Sequence, residues 1–153
     1  LNWCMHDHDL DLIWRSYTKV CKAVAIQSRA SQLVAICDSE KSEDCRPIYV
    51  STVNYCGLKE GDFINYLPTG FDAFINKDYH FLLDKEIRII HYSTWDPNSS
   101  PEGCFLPIDL SLLIERVVLS AGSTSKDAEA IRNLLNKSGL ENILVESSRY
   151  EIG

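Results

Sequence analysis

Apolar and polar positions recur with two different periods along this chain, so helices and strands are both predicted. A first helix is predicted from an apolar stripe at helical spacing. The members of this stripe are Leu10, Ile13, Trp14 and Tyr17. A late helix is predicted between Thr124, which with Asp127 approximates a capping box, and Gly139, which supplies a left-handed stop.

Strands are predicted from short apolar runs and from alternation. The run 23–26 is short and does not alternate, which is typical of a strand covered on both faces, so we expect a central strand there. Residues 48–55 predict another strand, whose apolar phase changes near Thr52 as a bulge would cause. The segment that begins at Glu86 alternates cleanly and places Glu86 and Arg88 on one face.

These elements alternate irregularly, and no internal repeat or linker divides them. A chain of 153 residues has the usual size of one domain. A hydrophobic fraction of 45% beside 24% charged residues is typical of a packed globular protein. The sequence therefore predicts one α+β domain over residues 1–153, in which a central mixed β-sheet of about five strands packs with about three to four helices.

Charge and cysteine content narrow the class of protein further. A net charge of −7 opposes the phosphate backbone, so we expect no nucleic-acid partner. The six cysteines are widely scattered without a C-x-x-C pair, which indicates free thiols. No apolar run approaches the roughly 18 residues of a membrane span, and no signal-peptide pattern occurs. We therefore expect a cytoplasmic protein without a membrane partner.

The densest polar cluster runs from Cys4 to Asp11 and contains His6 and His8 at H-x-H spacing. Zinc and iron sites use such pairs. Leu10, however, stands where the familiar H-x-H-x-D-H pattern has its aspartate. We favour a helix N-terminus, whose acidic residues the helix dipole stabilises, and predict no metal and no cofactor.

A second polar cluster surrounds the strand that begins at Glu86. Asp84, Glu86 and Arg88 share strand parity. A buried carboxylate beside a guanidinium stays ionised and can hold a ribose hydroxyl or stabilise a developing positive charge. The alternative is a cross-strand ion pair that only positions the sheet. No nucleophile elbow, phosphate-binding loop or dinucleotide fingerprint occurs, so neither a serine hydrolase nor a kinase is indicated.

Several short motifs follow one another in a fixed order over nearly the whole chain. They are Cys4, Trp14 with Tyr17, the run 23–28, Tyr55, Lys77, Phe81, Glu86, Arg88, Pro107, Asp109, Val117 and Leu135. This order resembles the bacterial domain-of-unknown-function family 2971, although Asp84 replaces a glutamate of the family pattern. Family members usually begin with a segment that contains an N-D-P-F-like motif, and nothing equivalent precedes Leu1, so we expect an upstream segment to be missing.

The resemblance implies a bacterial or mobile-element source and a role in defence or stress, but no reaction. Its layout is similar to ADP-ribosyltransferase-like domains, in which one glutamate contacts the nicotinamide ribose of NAD. By that analogy Glu86 is the catalytic residue and Arg88 its orienting partner. Trp14 or Tyr17 would then stack on the nicotinamide, whereas the alternative places both rings in the core.

Three hypotheses for the function follow, and whether the protein is an enzyme stays open. The first is an uncharacterised domain with a small-molecule or nucleotide pocket at Glu86 and Arg88. Its further ligand-binding residues would be Trp14, Tyr17, Lys77 and Asp84. The second is an NAD-consuming ADP-ribosyltransferase-like enzyme. The third is a non-catalytic interaction module that forms homodimers through apolar surface at 71–74.

Overall fold

The structure of the protein is a computed structural model. The described residues are 2–6, 11–17, 22–39, 48–57, 71–91 and 107–149. They form both helices and strands, so the predicted α+β class is confirmed. None of the helices in these ranges has the length and apolar character that crossing a bilayer would need.

The chain divides into two compact units, and neither is continuous in sequence. The first unit contains Leu1–Met5 and Cys37–Pro107, and the second contains His6–Ile36 and Ile108–Gly153. A sequence pattern shows only neighbours along the chain, so this interleaving could not be predicted from it. The single domain over residues 1–153 stays a prediction.

The first unit is built around an antiparallel sheet of three strands. Strand β6 (Glu86–His91) lies at its centre, between β1 (Asn2–Cys4) and β3 (Ile48–Thr52). The register places Asn2 opposite Arg88, and Ser51 lies opposite Arg88 on the other side. The predicted strand at Glu86 is confirmed, and its three isoleucines are buried in the middle of the sheet.

A second, two-stranded sheet in this unit pairs β4 (Asn54–Cys56) in parallel with β5 (Asn76–Asp78). The single helical turn α3 (Asp72–Ile75) precedes β5, and the 3₁₀ helix Tyr79–Asp84 connects β5 to β6. Asp78 caps this 3₁₀ helix by accepting a hydrogen bond from the His80 backbone N–H. The segment from α3 to β6 is therefore one continuous run of short elements.

The change of apolar phase near Thr52 has a different cause from the predicted bulge. Val53 lies between β3 and β4, is buried, and donates its N–H to the carbonyl of Glu86 over 2.9 Å. The chain then leaves the first sheet and pairs with β5. The phase changes because the two strands belong to different sheets, and the predicted bulge is wrong.

The second unit contains a mixed sheet of three strands. Strand β7 (Arg116–Leu119) is central, with β2 (Val24–Gln27) antiparallel on one side and β8 (Leu144–Ser147) parallel on the other. Val24 and Ile26 of β2 are about half exposed. The predicted central strand at 23–26 is therefore wrong, because a short apolar run does not distinguish a covered strand from an edge strand. In place of one sheet of about five strands, the described strands form two three-stranded sheets and a two-stranded one.

Four helices lie wholly or mainly in the second unit, and two of them begin at the predicted capping residues. They are α1 (Asp11–Tyr17), α2 (Ala30–Ser39), α4 (Leu110–Leu113) and α5 (Ser125–Lys137). The capping box of Thr124 and Asp127 is complete, and Asp109 caps α4 by accepting from Ser111. Gly139 adopts a φ of 71°, which confirms the left-handed stop after α5.

Each described cysteine carries a thiol. Cys4, Cys37 and Cys56 are not joined in disulfides, as predicted, and the other three cysteines lie outside the described residues.

The core of the second unit should be sensitive to truncation at Leu119, which is only 2% exposed. We expect Leu119→Ala to lower the free energy of unfolding by about 3 kcal/mol, because it removes buried methyl groups and leaves a cavity. Leu134→Ala is the matched control, since Leu134 is 60% exposed, and it should cost less than about 0.5 kcal/mol. Chemical denaturation measures both, and equal losses in the two variants would contradict the described burial.

Candidate functional site

The candidate site is built where the 3₁₀ helix passes into β6. Lys85, between these elements, has a φ of 43°, which is left-handed backbone, and the chain turns there. The carbonyl of Lys85 accepts from Met5 N–H over 2.8 Å, and the backbone N–H of Glu86 donates to the Tyr55 hydroxyl over 2.8 Å. The backbone that presents Glu86 is thus fixed by the residue that follows β1 and by a side chain of β4.

The carboxylate of Glu86 is buried between two cations. Its Oε1 accepts a short hydrogen bond from Lys77 Nζ, and its Oε2 accepts from Arg88 Nε over 2.8 Å. The side chain is only 4% exposed, so these two bonds replace the water that a carboxylate would otherwise bind. We call Lys77, Asp84, Glu86 and Arg88 the Glu86 cluster.

Asp84 joins the cluster through Lys77. Its Oδ2 lies 2.7 Å from Lys77 Nζ. The sequence analysis placed Asp84 on the same strand as Glu86. In the structure Asp84 is the last residue of the 3₁₀ helix, so the prediction that Asp84 shares strand parity with Glu86 is wrong. The left-handed turn at Lys85 brings the two carboxylates to the same ammonium group. The expectation that Glu86 and Arg88 leave the strand on one side is confirmed by their direct hydrogen bond.

The protonation of the cluster is set by opposing effects. Burial alone would raise the pKa of Glu86, but the hydrogen bonds from Arg88 and Lys77 outweigh it and hold the pKa below its usual range. Burial likewise would lower the pKa of Lys77, but the bonds to Asp84 and Glu86 raise it overall. By formal charge the cluster pairs two basic side chains, Lys77 and Arg88, with two acidic ones, Asp84 and Glu86, and is balanced.

Aromatic and backbone groups fix the two cations. Lys77 Nζ lies 4.5 Å from the centre of the Phe81 ring, which is a cation–π geometry. Arg88 Nη1 donates to the carbonyl of Phe74 over 2.6 Å. The sequence did not predict that the Phe74 carbonyl and the Tyr55 hydroxyl accept hydrogen bonds from residues of this cluster. A backbone acceptor or a hydroxyl from a distant residue leaves no spacing pattern in a sequence.

An open cleft of about 370 Å³ lies beside the cluster. Its walls are formed by Asn2, Phe74, Arg88, Ile89, Ile90 and His91. Arg88 belongs both to the cleft and to the Glu86 cluster, and its side chain is 19% exposed, so this residue connects the buried carboxylate to the cleft. We call this the Arg88 cleft.

Two predicted site residues belong to the second unit. Trp14 lies on α1 and is buried with 4% exposure, whereas Tyr17 on the same helix is 62% exposed. The alternative prediction placed both rings in the core. It is confirmed for Trp14 and wrong for Tyr17. The cluster and the cleft are both composed of residues from the first unit.

The N-terminal H-x-H pair is only partly described. His6 lies within the described residues, and His8 lies outside them. Within the part of the chain that the structure describes, no three His, Cys, Asp or Glu side chains come together as a metal centre would need.

Comparisons with known proteins gave no match for this chain. No protein-family model matches the chain, and neither the curated proteins nor the solved structures give a match. The resemblance to family 2971 therefore stays a prediction that depends on the order of its motifs.

The buried carboxylate should dominate the stability of the first unit. We expect Glu86→Gln to lower the free energy of unfolding by about 3 kcal/mol, because it leaves Lys77 and Arg88 without their shared anion. Glu115→Gln is the matched control, since its pair with Arg29 is exposed, and it should cost far less. Urea denaturation of both variants checks this, and a similar loss in the control would show that burial does not distinguish the two pairs.

The contribution of Glu86 should also depend on pH. Because its folded-state pKa lies below its ordinary value of 4.5, the unfolded chain binds the extra proton first as the pH falls. The stabilisation is therefore fully present above pH 4.5 and is lost as the pH falls through the folded-state value. The difference in unfolding free energy between wild type and Glu86→Gln should be constant from about pH 6 to about pH 8 and shrink below pH 4.5. A difference unchanged down to roughly pH 3 would exclude this origin.

Proposed function

We propose that this protein binds a small ligand with an anionic group, a phosphate or a carboxylate, in the Arg88 cleft. The observation that supports this most directly is the position of Arg88. Arg88 lines the cleft, and its guanidinium donates hydrogen bonds to Glu86 and to the Phe74 carbonyl. A guanidinium that is already oriented loses less conformational freedom when an anion binds.

The donor inventory of Arg88 leaves capacity for a ligand. Arginine has five N–H donors in a planar fork, and the hydrogen bonds to Glu86 and Phe74 use Nε and Nη1. Among the residues that the structure describes, Nη2 donates to no acceptor. One N–H of Nη2 and the remaining N–H of Nη1 come from two nitrogens of the fork, and such a pair of donors matches the spacing of carboxylate and phosphate oxygens.

The size of the cleft indicates the size of the ligand. Small-molecule sites usually enclose about 300–1,000 Å³, and a cleft of about 370 Å³ lies at the small end of that range. A metabolite the size of a mononucleotide fits this volume better than a dinucleotide or a polymer does. Because the Glu86 cluster is balanced in charge, we expect modest affinity for the anion.

In this proposal Glu86 is a positioning residue and not a catalytic one. An NAD-consuming transferase needs a glutamate oxygen that can contact the ribose as charge develops. Both carboxylate oxygens of Glu86 accept hydrogen bonds from Lys77 and Arg88, and its side chain is 4% exposed. This arrangement favours binding over the transferase alternative.

The interaction-module alternative has less support. Of the apolar rings at 71–74, Phe71 packs edge-on against Tyr49 with 5.1 Å between ring centres, and Phe74 is 47% exposed. Stable interfaces bury about 800 Å² on each partner, far more than one half-exposed ring provides. The cleft and the resemblance to family 2971 both support a small-molecule-binding function. We therefore propose that this chain is a small-molecule-binding domain of the bacterial cytoplasm.

Replacement of Arg88 should remove anion binding. We expect ribose 5-phosphate, titrated into the ¹⁵N-labelled protein, to shift the amide signals of residues 88–91. Arg88→Gln should weaken its binding at least about tenfold, and Arg88→Lys should weaken it less, because lysine keeps the charge but loses the planar fork. Arg116→Gln is the matched control, since Arg116 is also held by a carboxylate and a second oxygen but lies in the other unit.

Two results would overturn this proposal. The first is wild-type protein that does not bind ribose 5-phosphate at millimolar concentration, or that binds it as well after either substitution at Arg88. The second is release of nicotinamide from NAD by the wild type and its loss in Glu86→Gln, which would support the transferase instead.

A further inference from the structure

We infer that the ligand of the Arg88 cleft carries a flat aromatic ring next to its anionic group, as a nucleoside monophosphate does, and that Phe74 stacks on that ring. This inference rests on the proposed function and adds the chemical class of the ligand. It depends on how Phe74 and Arg88 are joined and on the other groups that line the cleft.

Phe74 presents its ring at the cleft from a fixed position. Phe74 lines the cleft and is 47% exposed, and among the aromatic residues described in the first unit it is the one that lies both at the cleft and beside Arg88. Its own carbonyl accepts from Arg88 Nη1 over 2.6 Å, and its own N–H donates to the carbonyl of Phe71 over 2.9 Å. The backbone that carries the aromatic ring is therefore bonded to the guanidinium that would bind the anion.

This bond sets the spacing between the two recognition groups. One ligand can contact both at once only if its anionic group and its flat part are connected within a single small molecule. Ile89 and Ile90 also line the cleft, but each is only 7% exposed, so Phe74 is the more accessible apolar residue. A ligand with an anionic group alone would leave the Phe74 ring in water.

The polar groups in the cleft suit a heteroaromatic ring more than a hydrocarbon ring. Asn2 contributes an amide with two donors and an acceptor oxygen, and it lies opposite Arg88 in the register of β1 and β6. His91 lies farther along β6 and also lines the cleft. Nitrogen and oxygen atoms on the rim of a nucleobase can bond to such groups, whereas stacking on Phe74 accepts any base.

A comparison of two phosphates separates ring recognition from anion recognition. Adenosine monophosphate and ribose 5-phosphate carry the same charged group, and only the first has an aromatic ring. We expect wild-type protein to bind adenosine monophosphate roughly tenfold more tightly, as base–aromatic stacking implies. The base protons of adenosine monophosphate should also shift upfield in its NMR spectrum, because they would lie over the Phe74 ring.

Variants at Phe74 test whether this ring is responsible. Phe74→Leu should reduce the affinity for adenosine monophosphate to that for ribose 5-phosphate and leave the latter unchanged. Phe74→Tyr keeps an aromatic ring and should preserve the preference, which keeps the test decisive if the leucine variant does not fold. Tyr79→Leu is the matched control, because Tyr79 is a 59% exposed ring of the same unit that does not line the cleft.

The outcomes distinguish this inference from the proposed function. If both phosphates bind equally, or if Phe74→Leu keeps the preference, the aromatic ligand is excluded while anion binding at Arg88 stands. If neither phosphate binds the wild type, the proposed function itself fails, and this inference fails with it.

Discussion

The first unit depends on one buried carboxylate shared by two cations. Glu86 begins the central strand β6, where a charge without partners would cost several kcal/mol to desolvate. Lys77 and Arg88 supply those partners, and Asp84 holds Lys77 in place. The ion pairs thus couple β5, the 3₁₀ helix and β6.

The same interaction prepares the Arg88 cleft. Arg88 is oriented by Glu86 on one side and by the Phe74 carbonyl on the other, so the guanidinium is held before any ligand arrives. Apart from Asn2, the side chains of the cleft come from the segment 71–91. The segment 71–91 therefore supplies the buried charges, the guanidinium of Arg88 and the exposed ring of Phe74. The neighbouring strands β1 and β3 pair with the β6 part of this segment.

The sequence predicted those features that depend on neighbours along the chain. The alternation after Glu86 gave the correct strand face, and the capping box at Thr124 gave the correct start of a helix. Features that depend on distant partners were not predictable. The exposed β2, the change of sheet at Val53 and the carbonyl ligand of Arg88 all arise from tertiary pairing. The sequence analysis assigned Asp84 to the correct cluster for a wrong reason. Asp84 does not continue the strand of Glu86, because Lys85 between them has left-handed backbone, and Asp84 reaches the cluster through Lys77.

That left-handed residue has a consequence for how related sequences should be interpreted. A side chain in this backbone region is disfavoured unless it is glycine or, less strongly, asparagine, and branching at Cβ makes the conformation worse. Lys85 is an exposed exception, and its φ of 43° serves the turn. Glycine or asparagine at this position in a related sequence would keep the same backbone shape with less strain, whereas valine, isoleucine or threonine would oppose it. The turn itself does not call for a positive charge, so the shape of the backbone and the charge at this position can vary independently.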